Sequence, residues 1–213
     1  MQVYAAIVTT LELDTPHGPA RAHLHGADAP RAVLVLGHGA GGGVGAPDLL
    51  AARDAALAEE TSVALVEQPY RVAGRRSPPP APRLDAAWTA VLAGLRAEAI
   101  FGLPLIVGGR SLGARVACRT VEATGAVAVL CLAFPLEPPR RGGKPPQSRL
   151  PELDAVRLPT LVVQGERDPF GIPPPGPARE VVTVRGDHGL KADVEAVAAA
   201  VRAWLRTTSV SQS

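Results

Sequence analysis

Three residues in the second half of the chain have the types and order needed for acyl transfer: Ser111, Asp168 and His188. Ser111 is the centre of Gly109-Arg110-Ser111-Leu112-Gly113, a G-x-S-x-G pattern. A hydroxyl is a poor nucleophile until an imidazole takes its proton, and a carboxylate then fixes the tautomer and stabilises the imidazolium. Asp168 lies in Gln164-Gly165-Glu166-Arg167-Asp168-Pro169, just past an apolar run and before a proline. His188 lies in Gly186-Asp187-His188-Gly189, between the last extended segment and the last helical one. Serine, acid, histidine is the chain order expected when a serine sits on a sharp strand-to-helix turn of an open sheet. Two other acids compete for the histidine: Glu166, two residues from Asp168, and Glu137, after the preceding strand. Asp187 adjoins His188 and is badly placed to orient it.

A second chemical signal is the glycine-rich stretch His38-Gly39-Ala40-Gly41-Gly42-Gly43, which follows a strand and precedes a helix. It has no Gly-Lys-Ser/Thr for a P-loop. Gly37 to Gly42 does satisfy G-x-G-x-x-G, and Glu67 stands where a dinucleotide site wants its acid, about 20 residues on, at the end of the next strand. The same loop also reads as a set of backbone N–H groups for the oxyanion of a tetrahedral intermediate. His17, His23 and His25 cluster near the start, but no cysteine or acid keeps metal-ligand spacing with them. They read as solvated hairpin side chains, and no metal or cofactor is expected.

The elements that must position these residues follow from periodicity. Leu103 to Gly108 is a short branched apolar run, the pattern of a strand buried on both faces. After Ser111, Leu112, Val116 and Arg119 fall at helical spacing, with Ala114 and Ala117 favouring a helix. Ser111 is therefore expected at the carboxyl edge of a sheet with a helix start behind it. Further buried strands are expected at Arg31–Gly37, Val63–Val66, Val127–Ala133 and Leu158–Val163, with an edge strand at Glu180–Val184. Helices are expected over Pro47–Glu60, with Leu50, Ala51 and Leu57 inward, over Leu84–Ala99, and at the end, where Val194 to Leu205 form a stripe. Val3–Leu13 and Ala20–Leu24 read as an opening hairpin, and Thr207–Ser213 as a frayed polar tail. This alternation predicts the α/β class, one domain over residues 1–213 with a mostly parallel sheet and helices on both faces. Three Pro/Gly/Arg-rich stretches, Tyr70–Pro82, Pro135–Pro151 and Pro169–Pro177, each follow a strand and are expected to wall the site at the carboxyl edge.

Bulk properties exclude several classes. A formal net charge of +2, with no basic tract carrying aromatics, gives no reason to expect nucleic acid. No apolar run approaches the ~20 residues of a membrane helix, and the start lacks the pattern of a signal peptide. Cys118 and Cys131 sit in apolar settings and read as buried thiols, so a cytoplasmic address is expected.

Taken together, the stretches Gly37–Gly42, Glu67–Arg71, Gly109–Arg115, Gln164–Gly171 and Gly186–His188 resemble the α/β-hydrolases. More narrowly, they resemble the small dienelactone-hydrolase-like group that includes the testis-expressed and NSL-complex-subunit hydrolase-like proteins. The resemblance covers the chain from about Arg31 to the last helix. It implies Ser111 as nucleophile, Asp168 as acid, His188 as base, and the N–H groups of Ala40 and Leu112 as oxyanion donors. Serine at position 111 departs from dienelactone hydrolases proper, which carry cysteine there.

The expectation is a serine hydrolase acting on a small ester or thioester, with no insertion long enough for a helical lid. A non-catalytic scaffold of the same fold is the alternative. Tyr70, Arg71, Arg75 and Arg110 are candidate substrate contacts, and Arg76, Arg140, Arg141 and Lys144 would extend them into a basic rim. The same arginines also read as ordinary solvated surface charges.

Overall fold

Residues 8–100, 102–138 and 147–208 are described by the computed structural model. Eight strands form one sheet: β1 Val8–Leu13, β2 Ala20–His25, β3 Ala32–Gly37, β4 Thr61–Glu67, β5 Leu105–Arg110, β6 Ala128–Leu132, β7 Thr160–Gly165 and β8 Arg179–Val184. The spatial order is β1-β2-β4-β3-β5-β6-β7-β8. The opening hairpin pairs antiparallel, and β2 meets β4 antiparallel; every other pairing is parallel. The chain steps from β3 out to β4, then returns to β3's other side with β5, so the order reverses at β3. Ligands of open α/β sheets bind outside the carboxyl ends at such a reversal, which here means the loops after β3 and β5.

Alternation along each central strand divides the core in two. Val33, Val35, Val107, Val129 and Cys131 face one layer, and Leu34, Leu36, Ile106, Leu130 and Leu132 face the other. The first layer holds helices α3 Ala81–Glu98 and α4 Leu112–Thr124, with Trp88 and Val116 buried against the sheet. The second holds α1 Pro47–Ala58 and α6 Val194–Thr207. Two short helices, α2 Pro69–Val72 and α5 Leu150–Asp154, replace what the sequence suggested was loop. Arg119 of α4 chelates Asp85 of α3 through two nitrogens at 2.9 and 2.5 Å, and Arg115 holds Glu152 of α5 at 2.9 and 2.5 Å. Those partly buried pairs fix three helices against one another around the turn that carries Ser111.

Several expectations change. The inward face of α1 is Leu49, Ala52, Ala55 and Ala56, while Leu50, Ala51 and Leu57 are only half-buried. The helix is apolar on most sides, so periodicity alone could not choose between faces. His25 is buried, and His23 Nε2–H donates to Glu67 Oε2 at 3.1 Å, so neither is a solvated hairpin side chain. Thr207 closes α6 and Thr208 is buried, its hydroxyl donating to the Trp204 carbonyl at 2.8 Å. Cys118 and Cys131 are free buried thiols with Sγ atoms 3.6 Å apart, and their contact pushes the Cys131 thiol well up, reinforced by burial. The start of the expected first strand (residues 3–7) and the end of the tail lie outside the described residues. Among the described residues no helix is long and apolar enough to cross a membrane.

Candidate active site

The turn between β5 and α4 is closed by two glycines. A Cβ at Gly109 would stand 2.5 Å from the Gly37 carbonyl oxygen and 2.8 Å from the Gly113 carbonyl carbon. One at Gly113 would collide with the Gly37 carbonyl itself. Strand β3 and helix α4 can therefore touch backbone to backbone, and Ser111 is forced to carry the bend. Its φ of 51° and ψ of −103° lie where a side chain is strained by about 1–3 kcal/mol. The strain is held by neighbours: Ser111 N–H donates to the Leu132 carbonyl at 2.9 Å, and its own carbonyl accepts from Arg115 N–H at 3.2 Å. Oγ is thereby presented at the carboxyl edge.

His188 Nε2 lies 3.0 Å from Ser111 Oγ, and His188 Nδ1 lies 2.8 Å from Asp168 Oδ2. The carboxylate fixes the tautomer by accepting from Nδ1–H, leaving Nε2 to accept the serine proton. Asp168 is itself clamped: Oδ1 accepts from Phe170 N–H at 2.9 Å and Oδ2 from Gln164 Nε2 at 2.7 Å. Gln164, wholly buried on β7, also donates toward the Phe134 and Gly171 carbonyls at 3.1 and 3.0 Å. The Phe170 ring packs on the His188 ring, centroids 4.4 Å apart. The rival acids take no such part. Glu137 and Glu166 are exposed, and neither side chain reaches His188.

Ala40 lies in the loop after β3, and Leu112 opens α4 directly after Ser111. Their N–H groups donate to no partner among the described residues. The loop is held from behind. Tyr70 Oη donates to the Ala40 carbonyl at 3.0 Å. His38 Nδ1–H donates to the Gly39 carbonyl at 2.8 Å, while Nε2 accepts from Gln68 N–H at 3.2 Å. Burial lowers the His38 pKa, which suits a neutral ring that must be donor and acceptor at once. Burial also pushes the Tyr70 hydroxyl up to about 12, so it stays a donor. Glu67, the acid a dinucleotide would need, is occupied by His23 at 3.1 Å and Arg21 at 3.7 Å. No group of three or more His, Cys, Asp or Glu is assembled for a metal among the described residues.

The candidate substrate contacts separate. Tyr70 is buried behind the loop after β3, and Arg71 Nη1 donates to the Arg75 carbonyl at 3.2 Å. Arg75 is exposed on a cavity of ≈ 170 Å³ between α2 and the start of α3, shared with His17, Ser77 and Arg83. Arg110 points inward, 2.9 Å from Asp48 and donating to the His188 carbonyl at 2.9 Å. Arg140, Arg141 and Lys144 lie outside the described residues. Asp48 and Gln164 were not singled out from sequence, because their roles arise only when α1 meets the serine turn and β7 meets its own following loop.

A family model described as "Alpha/beta hydrolase domain" matches residues 30–198. No curated protein matches the sequence. Among solved structures, the chain is similar to an a/b serine hydrolase without lid from Xanthomonas campestris, at 18% identity and a TM-score of 0.74, covering 97% of each chain. It is similar to a dienelactone hydrolase from Anabaena variabilis at 14% identity and a TM-score of 0.74, covering 96% of this chain and 99% of that one. An esterase domain from a Rhodothermus marinus protein aligns at 18% identity and a TM-score of 0.70, covering 94% and 98%.

Proposed function

The chain belongs to the alpha/beta hydrolase domain family, and from that premise we propose that it is a serine hydrolase cleaving a carboxylic ester or thioester through an acyl-enzyme. The observation that carries the proposal is the unbroken line from Ser111 Oγ through both nitrogens of His188 to Asp168, at 3.0 and 2.8 Å. In it, Oγ attacks the acyl carbon while its proton passes to His188 Nε2. The carbonyl oxygen becomes an oxyanion and takes the free N–H groups of Ala40 and Leu112. Asp168 holds the imidazolium's Nδ1–H throughout and stays ionised. Collapse of the intermediate breaks the bond to the alcohol or thiol, which leaves with the proton from Nε2. Water then repeats the sequence: it gives its proton to His188, attacks the acyl carbon, and expels Ser111 Oγ, which regains a proton.

The strained backbone at Ser111 weighs against a purely scaffolding role, which would gain nothing from it. The serine hydrolase, esterase and dienelactone hydrolase among the similar structures support the same reaction class. Substrate binding is assigned to the Tyr70 side of the site, where Arg75 and Arg83 line the cavity that Tyr70 also lines, with no acidic partner among the described residues. A cytoplasmic address belongs to the proposal, in keeping with two buried cysteines that form no disulfide with each other.

The test is steady-state and burst kinetics with p-nitrophenyl esters and matched acyl thioesters. Wild type should show turnover, and Ser111→Ala should fold with the same Tm and lose at least about 10³-fold in kcat. Turnover surviving in Ser111→Ala would overturn the assignment.

A further inference from the structure

Arg110 occupies the variable position of the elbow motif, beside the nucleophile, yet its guanidinium turns into the space between three elements. Nε lies 2.9 Å from Asp48 Oδ2, an ionic contact whose N–H is not aligned for a hydrogen bond. Nη2 donates to the main-chain carbonyl of His188 at 2.9 Å. A Cβ at Gly39 would lie 2.8 Å from Nη1, so the oxyanion loop is glycine where this side chain passes under it. Asp48, the second residue of α1, is 0% exposed, and its other oxygen accepts from Leu49 N–H at 3.0 Å. A buried carboxylate is costly unless it is paired, so its partner is part of the architecture. Burial pushes the Asp48 carboxyl up and Arg110 pulls it back.

The loop carrying His188 has few ties of its own. Gly189 and Leu190 N–H both donate within the loop, to Asp187, at 2.8 and 3.1 Å. The Gly186 carbonyl accepts from Arg167 N–H at 2.9 Å, which secures the loop to the turn that carries Asp168 and not to the nucleophile. Among the described residues, the bond from Arg110 is what joins the main chain of His188 to the turn bearing Ser111.

We propose that Arg110, anchored by Asp48, is a positioning residue that sets the distance between the base loop and the nucleophile. A planar guanidinium can meet a carboxylate and a carbonyl at once from one fixed fork; an ammonium at the same site is a single point charge. The inference rests on Ser111 and His188 being nucleophile and base, and adds Asp48 and Arg110 as the parts that keep them in register.

The experiment uses Arg110→Ala, Arg110→Lys, Asp48→Asn and the double variant Asp48→Asn/Arg110→Ala. It combines p-nitrophenyl acetate kinetics with hydrogen exchange of peptides spanning residues 185–192. Arg110→Ala should lose about 10- to 100-fold in kcat, the scale of a slightly misplaced catalytic group, with KM changed by less than about twofold. Arg110→Lys should recover only part of the loss, and methylguanidinium added to Arg110→Ala should recover more. The double variant should be no worse than the poorer single one, since both break the same link. Exchange at Gly189 and Leu190 should quicken in Arg110→Ala. Unchanged exchange overturns the proposal, as do additive losses without rescue. If wild type shows no Ser111-dependent turnover, the reading of the nucleophile fails separately, and the exchange result still decides the clamp. Should Arg110→Ala not fold, Arg110→Lys carries both measurements.

Discussion

Three carboxylates compete for His188 in the sequence, and burial separates them. Asp168 is 7% exposed and spends both oxygens on named donors, whereas Glu137 and Glu166 face solvent. Replacing Asp168 by asparagine keeps the shape but offers Nδ1 an amide in place of a carboxylate, which permits the wrong tautomer. The loss in kcat should be about 10⁴-fold, as in other triads, while Glu137→Gln should change kcat by less than about twofold. Steady-state kinetics on the two variants checks this, and the opposite ranking would move the acid to the end of β6. Ser111, Asp168 and His188, which the structure brings together, could be singled out in sequence because each sits just past an element whose apolar pattern is clear. Gln164 and Asp48 were not, since a buried polar side chain announces itself only when its tertiary partners are known.

At the scale of elements, the glycine-rich loop after β3 depends on a histidine that must stay neutral. His38 Nε2 accepts from Gln68 N–H, and protonation would set two donors against each other. Burial lowers its folded pKa below the ordinary 6.5, and His25 is lowered in the same way. For a base whose pKa is depressed by folding, the unfolded chain binds the proton first. Stability is therefore full above pH 6.5, declines as pH falls below it, and levels off beneath the depressed value. Melting curves from pH 8 to 5 should show this fall in wild type and a shallower one in His38→Gln; equal slopes would mean that folding leaves the ring's pKa unshifted. Strands and long helices were legible because their periodicity is strong. Helices α2 and α5 span only 4 and 5 residues, too few for a period to register. The inward face of α1 was misjudged because alanines surround it, and its packing against α6 made the choice.

Across the whole molecule, charge is nearly balanced at +2, so any preference for an anionic substrate must be local. Arg75 and Arg83 share one small cavity with Tyr70, whose hydroxyl donates to the Ala40 carbonyl. They should raise kcat/KM for an anionic ester over a matched neutral one, and the advantage should fade as the Debye length shrinks to about 10 Å at 0.1 M salt. Arg75→Ala/Arg83→Ala should remove both the advantage and its salt dependence, and an equal salt response for the two esters in wild type would leave these arginines with no role in choosing substrate. The fold class was legible from alternation alone, and the sheet reversal at β3 explains why distant stretches of sequence converge on one edge. What that convergence is for turns on a single bond. Incubation with a fluorophosphonate, followed by peptide mass mapping, should place one adduct on Ser111, with labelling abolished in Ser111→Ala and strongly slowed in His188→Ala. No adduct on the folded wild type, or an adduct at another residue that persists in Ser111→Ala, would contradict the account.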